Sequence, residues 1–131
     1  MKIIMIVDDD QSDRELLIRY LKKFFEQLVI PGKVMPRIIE TKNASHAWDI
    51  LTQSKIIPDL MIIDLEMPGM NGDYLIEKIK KELQLNSELV LHSGHYLADQ
   101  KAKRLNCRSI SKVDGQKGVF SLAVELGLFT P

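Results

Sequence analysis

Leu60-Met61-Ile62-Ile63-Asp64-Leu65-Glu66-Met67-Pro68-Gly69-Met70-Asn71-Gly72 decides the fold. Four consecutive apolar residues, too few for a helix, predict a strand buried on both faces, and such strands belong to parallel sheets covered by helices. Asp64 closes the strand, and Pro68, Gly69, Asn71 and Gly72 then turn the chain. A third helix starts near Asn71 and carries Leu75, Ile79 and Leu83 inward.

The same unit recurs in both directions. Upstream, Ile3 to Val7 reads as a buried strand ending in Asp8, Asp9 and Asp10, and Ser12 with Glu15 forms a capping-box pattern ahead of Leu17, Leu21, Phe24 and Leu28. Pro31, Gly32 and Pro36 mark the long connection over Val29 to Pro36, which leads to a short strand at Arg37 to Thr41. Ala44, Ala47, Trp48 and Leu51 make the stripe of a second helix, with Asn43 as its cap and Trp48 as a core anchor. Downstream, Leu89 to Leu91 reads as a fourth strand and Leu97, Ala98, Ala102 and Leu105 as a short helix. A fifth strand at Arg108 to Ser111 and a last helix at Val119 to Leu126 complete the chain. Five strand and helix pairs predict an α/β domain that occupies residues 1–131, with no separate output domain.

Composition narrows the function. The 131 residues, 45% of them hydrophobic, suit one domain with a real core. Lys plus Arg and Asp plus Glu each total 18, so no basic footprint points to direct nucleic-acid binding, and charge must act locally. Cys107, the sole cysteine, rules out an internal disulfide framework and reads as a small hydrophobe. Ile3 to Val7 is too short for a signal-peptide core or a membrane span, so a soluble cytoplasmic protein is expected.

In an open parallel sheet, ligands bind beyond the carboxyl ends of the strands. Asp8 and Asp9 end the first strand here, Asp64 the third and Ser93 the fourth, while Lys112 follows the fifth. Clustered carboxylates repel one another and imply a hard cation held by oxygens, which suits magnesium and phosphate chemistry. Lys112 offers a point charge for a phosphoryl oxygen, Ser93 a hydrogen-bond donor, and an ionised carboxylate a nucleophile. His46 and His92 read as surface or edge residues.

These motifs resemble the receiver domains of two-component response regulators over essentially the whole chain. Asp64 to Gly72 is similar to that family's phosphoacceptor strand and following loop, and Val7-Asp8-Asp9-Asp10 to its acidic pair. Ser93-Gly94 stands where the family has Thr or Ser followed by a small residue, and Lys112 where it has lysine. The resemblance implies a flavodoxin-like, doubly wound five-stranded sheet of order 2-1-3-4-5 with five flanking helices. It implies that Asp64 is phosphorylated by a histidine kinase or phosphotransfer protein, and that Asp9, Asp64 and the backbone carbonyl of Glu66 hold Mg2+, with Asp8 acting through water. Ser93 would turn toward the phosphoryl group and change a surface read by a downstream protein. The chemistry would extend to self-catalysed phosphoryl transfer and autodephosphorylation, short of a conventional enzyme.

Two other readings compete. Asp8-Asp9-Asp10 also resembles the nucleophile strand of haloacid-dehalogenase phosphatases, although no later acidic pair stands at a strand end to complete that metal site. A receiver-like module without phosphorylation control is the other, supported only by Ser109 and Val113 among the departures from the family pattern. Ser109 replaces its Tyr or Phe, Val113 replaces the Pro after the lysine, the Gln27 to Pro36 connection is long, and the Ser93 to Lys112 span is short. A Lys112-Val113 bond should therefore be trans, because a cis bond before a non-proline residue costs about 2.5 to 4 kcal/mol. Switching should then rely on Gly94 to Asp99 and the fourth helix.

Overall fold

Apolar runs with no polar alternation require cover on both faces, and the sheet provides it. The structure, a computed structural model, describes residues 2–27 and 34–128. Strands β1 (Ile3–Val7), β2 (Arg37–Thr41), β3 (Leu60–Ile63), β4 (Glu88–Ser93) and β5 (Arg108–Ser111) alternate with five helices. These are α1 (Gln11–Gln27), α2 (Ala44–Gln53), α3 (Gly72–Glu82), α4 (Ala98–Arg104) and α5 (Gly115–Glu125). The pairings are parallel in the order β2-β1-β3-β4-β5, so strand order reverses between β1 and β3. That reversal opens the crevice in which such sheets bind ligands.

Successive strand residues point to opposite faces. Ile4, Ile6, Leu60, Ile62 and Val90 pack with Leu17, Leu21 and Phe24 of α1 and Val119 and Leu122 of α5. Met5, Val7, Met61, Ile63, Leu89 and Leu91 pack with Ala47 of α2, Leu75 and Ile79 of α3 and Ala102 of α4. Each large aliphatic side chain removed from water in this way stabilises the fold by about 1.5 to 3 kcal/mol.

Several local expectations need correction. Helix α1 is capped by Asp10, whose Oδ1 accepts the Asp13 N–H at 3.0 Å, while the Arg14 N–H bonds to the Asp10 carbonyl at 3.0 Å. Ser12 lies inside the helix, and Glu15 accepts from the Gln11 side chain at 3.0 Å instead of completing a capping box. Asp10 wins because it leaves the strand in time to cap the first free N–H groups. Strand β4 runs on to Ser93, since His92 pairs with Ile110 and Ser93 with Ser111. His92 is therefore buried, at 8% exposure, and is neither a surface nor an edge residue. Trp48 sits half-buried at the rim of the core, with Lys78 Nζ 4.4 Å from its ring centre. Helix α5 begins at Gly115, ahead of Val119, because a 3-10 turn at Lys112–Asp114 leads straight into it.

Asn43 caps α2 as expected, its Oδ1 accepting from His46 N–H at 2.7 Å. Asn71 occupies the cap position of α3, but its side chain accepts from Met67 N–H at 3.3 Å and ties the loop to itself. Leu28 and residues 29–33 of the long connection lie outside the described residues. Among the described residues no helix is long and apolar enough to cross a membrane.

Candidate functional site

Sheet hydrogen bonding continues one residue past the central strands and so delivers two acids to one edge. Asp8 N–H donates to the Thr41 carbonyl at 3.1 Å and Asp64 N–H to the Val7 carbonyl at 2.8 Å. The turn after β3 is pressed onto the Asp64 backbone. Gly72 N–H donates to the Leu65 carbonyl at 2.8 Å, and a Cβ on Gly72 would overlap the Asp64 carbonyl oxygen. Ser93 closes β4, and Lys112 opens the 3-10 turn directly after β5.

The structure brings together Asp8, Asp9, Asp64 and Lys112. One carboxylate oxygen from each of the three acids lies within 4.8 Å of the others. Lys112 Nζ is 3.0 Å from Asp8 Oδ2 and 3.3 Å from Asp64 Oδ1. It also bonds to Asp13 Oδ2 at 2.8 Å, a partner not anticipated from the sequence. The Asp10 cap places Asp13 in the first turn of α1, beside the site. Asp8 and Asp64 are buried, at 2% and 6% exposure, while Asp9 is exposed.

Burial dominates the electrostatics. It pushes the Asp64 carboxyl up, the Asp8 charge adds to this, and Lys112 opposes, leaving Asp64 at about 7. Asp8 is also raised, mainly by burial, against the Asp10 N–H and Lys112 that favour its charge. Burial works to lower the Lys112 ammonium, yet hydrogen bonds to Asp13 and Asp8 and the nearby charges outweigh it, so Lys112 stays protonated. Asp8, Asp64 and Asp13 thus share one lysine, and Asp8, Asp9 and Asp64 together make an all-oxygen set that fits a hard divalent cation.

The rim is built from two loops. Ser93 Oγ accepts the His95 N–H at 3.0 Å, and a hydroxyl that accepts still has a proton to donate. His95 Nε2 lies 3.2 Å from Glu66 Oε1, joining the loop after β4 to the loop after β3. Below Lys112, His92 faces a small cavity of about 50 Å³ lined also by Asp13, Tyr20 and Gly115. On the β5 side, Ser109 Oγ bonds to Asp99 Oδ1 at 3.0 Å, linking that strand to the first turn of α4. No peptide bond among the described residues is cis, so Lys112-Val113 is trans as expected.

A doubly wound sheet with an acid cluster and a lysine at the carboxyl ends of its strands defines an α/β domain with a polar ligand crevice at its switch point. The response regulator receiver domain family matches residues 4–110, and the chain belongs to it. The response regulator GtcR of Aneurinibacillus migulanus is 34% identical over 84 residues, covering 64% of this chain and 30% of that protein. The regulator of RpoS of Escherichia coli (strain K12) is 31% identical over 110 residues, covering 83% of this chain and 29% of that protein. The chain thus spans under a third of the length of these relatives. The bacteriophytochrome response regulator RtBRR superimposes with a TM-score of 0.79 at 21% identity, covering 100% of this chain and 81% of that one. The Mn(2+)-bound form of response regulator Rcp1 gives 0.76 at 20% identity, covering 94% and 92%. Receiver domains generally bind Mg2+ at an acidic pocket and interact with histidine kinases and downstream targets.

Proposed function

We propose that Asp64 is the phosphoacceptor, taking its phosphoryl group from a histidine kinase or phosphotransfer protein. The contact that carries this reading is Lys112 Nζ at 3.3 Å from Asp64 Oδ1 inside the acid cluster. One Asp64 oxygen forms a bond to phosphorus as the bond to the donor's imidazole nitrogen breaks, and the released imidazole takes a proton. Lys112 meets a phosphoryl oxygen as a point charge. Asp9, Asp64 and the backbone carbonyl of Glu66 would hold Mg2+, with Asp8 assisting through water. The ion supplies positive charge to the phosphoryl oxygens during transfer.

Asp64 rather than Asp8 or Asp9 reacts because it alone closes the central strand β3, where the Gly72 turn fixes its backbone, while the other acids are needed ionised toward the cation. After transfer, Ser93 donates its hydroxyl proton to a phosphoryl oxygen. The turn of that hydroxyl releases the His95 N–H and moves the β4–α4 loop, shifting the population of surfaces around α4 that a downstream protein reads. The chemistry is confined to self-catalysed transfer and autodephosphorylation.

Intact-mass measurement after incubation with phosphoramidate and Mg2+ tests this. One phosphoryl adduct, absent from Asp64→Asn, supports it. Phosphodonor turnover with no adduct selects a phosphatase, and no reaction selects a module without phosphorylation control.

A further inference from the structure

Asp13 stands apart from the acid cluster yet makes the shortest carboxylate contact to Lys112: 2.8 Å, against 3.0 Å to Asp8 and 3.3 Å to Asp64. The two residues are 99 positions apart in sequence and belong to different elements, the first turn of α1 and the turn before α5. Both ends of the contact are anchored. Asp13 N–H is fixed by the Asp10 cap at 3.0 Å. The Lys112 turn is closed by Ser111 Oγ, which accepts the Val113 N–H at 3.2 Å, and by Gly115, whose φ of +53° lets the chain pass beside Tyr20.

Val113, the residue after Lys112, is 84% exposed, so its side chain does not hold the lysine in place. The lysine's direction comes from its anionic partners. An ammonium has three N–H donors, and Asp8, Asp13 and Asp64 occupy all of them. To meet a phosphoryl group, Lys112 must exchange at least one. The Asp64 contact is the longest, and Asp8 and Asp64 belong to the cluster that would face the cation. Asp13 lies outside that cluster and has no such second task.

We propose that Asp13 is a positioning residue for phosphoryl transfer, holding the Lys112 ammonium over Asp64 and keeping its bond while the Asp64 contact gives way to a phosphoryl oxygen. This rests on Asp64 being the phosphoacceptor. The Asp13 carboxylate is 40% exposed, so solvent screens the pair and its effect on rate is modest.

The test is the rate of phosphorylation by phosphoramidate with Mg2+, read by intact mass, together with the ¹H–¹⁵N signal of the Lys112 ammonium in the unphosphorylated protein. Asp13→Ala should slow labelling by about two- to fivefold, the range expected for loss of one partly screened ion pair. Asp13→Asn, which keeps an oxygen acceptor without the charge, should fall between that variant and the parent. In a Lys112→Ala background, Asp13→Ala should make no further difference. The Lys112 signal should move in both single variants, which a helix-start role alone would not produce. Should Asp13→Ala unfold, Asp13→Asn carries the comparison. Parent-like rates in both variants, full additivity with Lys112→Ala, or an unmoved Lys112 signal would each overturn the proposal. Failure of the parent protein to label would instead overturn the Asp64 assignment, and the ammonium signal would still decide whether Asp13 holds Lys112.

Discussion

Glu66 and His95 meet across the mouth of the site, Glu66 Oε1 to His95 Nε2 at 3.2 Å. His95 Nδ1 accepts the Leu97 N–H at 3.0 Å, so in the neutral ring the proton sits on Nε2 and is donated to Glu66. The bond ties the β3–α3 loop to the β4–α4 loop, and if Asp64 is the phosphoacceptor, as proposed, the bridge would border the approach of water to its phosphoryl group. Removing either partner should leave phosphorylation intact and speed phosphoryl loss by about two- to tenfold, the worth of one hydrogen bond. Decay followed after removal of the phosphodonor, in Glu66→Ala and His95→Ala, reads this directly. Parent-like decay in both would show that the bridge does not guard the site.

Gly72 is the position where the turn after Asp64 admits no side chain. A methyl group there meets the Asp64 carbonyl oxygen and the Ile63 side chain, and backbone cannot yield as a flexible side chain can. Gly72→Ala should lower stability by roughly 1 to 3 kcal/mol and also reduce labelling, because the displaced group is the acceptor's own backbone. Thermal melting and intact mass report the two effects. An unchanged melting temperature would show that the turn is looser than described.

Burial holds His92 neutral and lowers it to about 4, with the Lys112 charge adding to the effect and Asp13 opposing. Between that value and the ordinary 6.5, the unfolded chain binds a proton that the fold excludes. The contribution of His92 to stability is therefore fully present above pH 6.5 and is lost as pH falls toward 4. His92→Leu should remove this loss, narrowing the fall in stability over that window by up to roughly 3 kcal/mol. Asp64, raised to about 7, acts in the opposite direction but equally in both proteins, so it cancels in the comparison. Denaturant unfolding across the window checks this, and parallel pH profiles for variant and parent would contradict it.

The central strands were legible because burial on both faces leaves short apolar runs, and their closing acids mark the switch point. Ile3 to Val7, Arg37 to Thr41, Leu60 to Ile63 and Arg108 to Ser111 have the bounds read from sequence alone. What escaped depended on long-range partners. His92 was misplaced because a polar ring ends the apolar run, whereas pairing with Ile110 carries β4 on past it. Asp13 was missed because its partner lies 99 residues away, and nothing local distinguishes it from an ordinary acid in a first helical turn. Asp10 and Ser12 are both good caps by type, and only the geometry of chain exit from β1 decided between them.

Ser109 stands where the resembling family has an aromatic ring, and here its hydroxyl holds Asp99 at 3.0 Å. The signal should therefore travel through residues 94–99 and α4 rather than through a rotating ring. Hydrogen exchange with and without a phosphoryl mimic should show changes concentrated there. Changes confined to residues 29–36 would show that it leaves by another route.

The assignment of Asp64 is tested most directly by mapping the phosphoryl group after labelling with phosphoramidate and Mg2+. Reductive trapping of the acyl phosphate followed by peptide sequencing locates it. A single trapped position at Asp64, lost in Asp64→Asn, is the result expected. Label on Asp8 or Asp9 in the parent protein would contradict it.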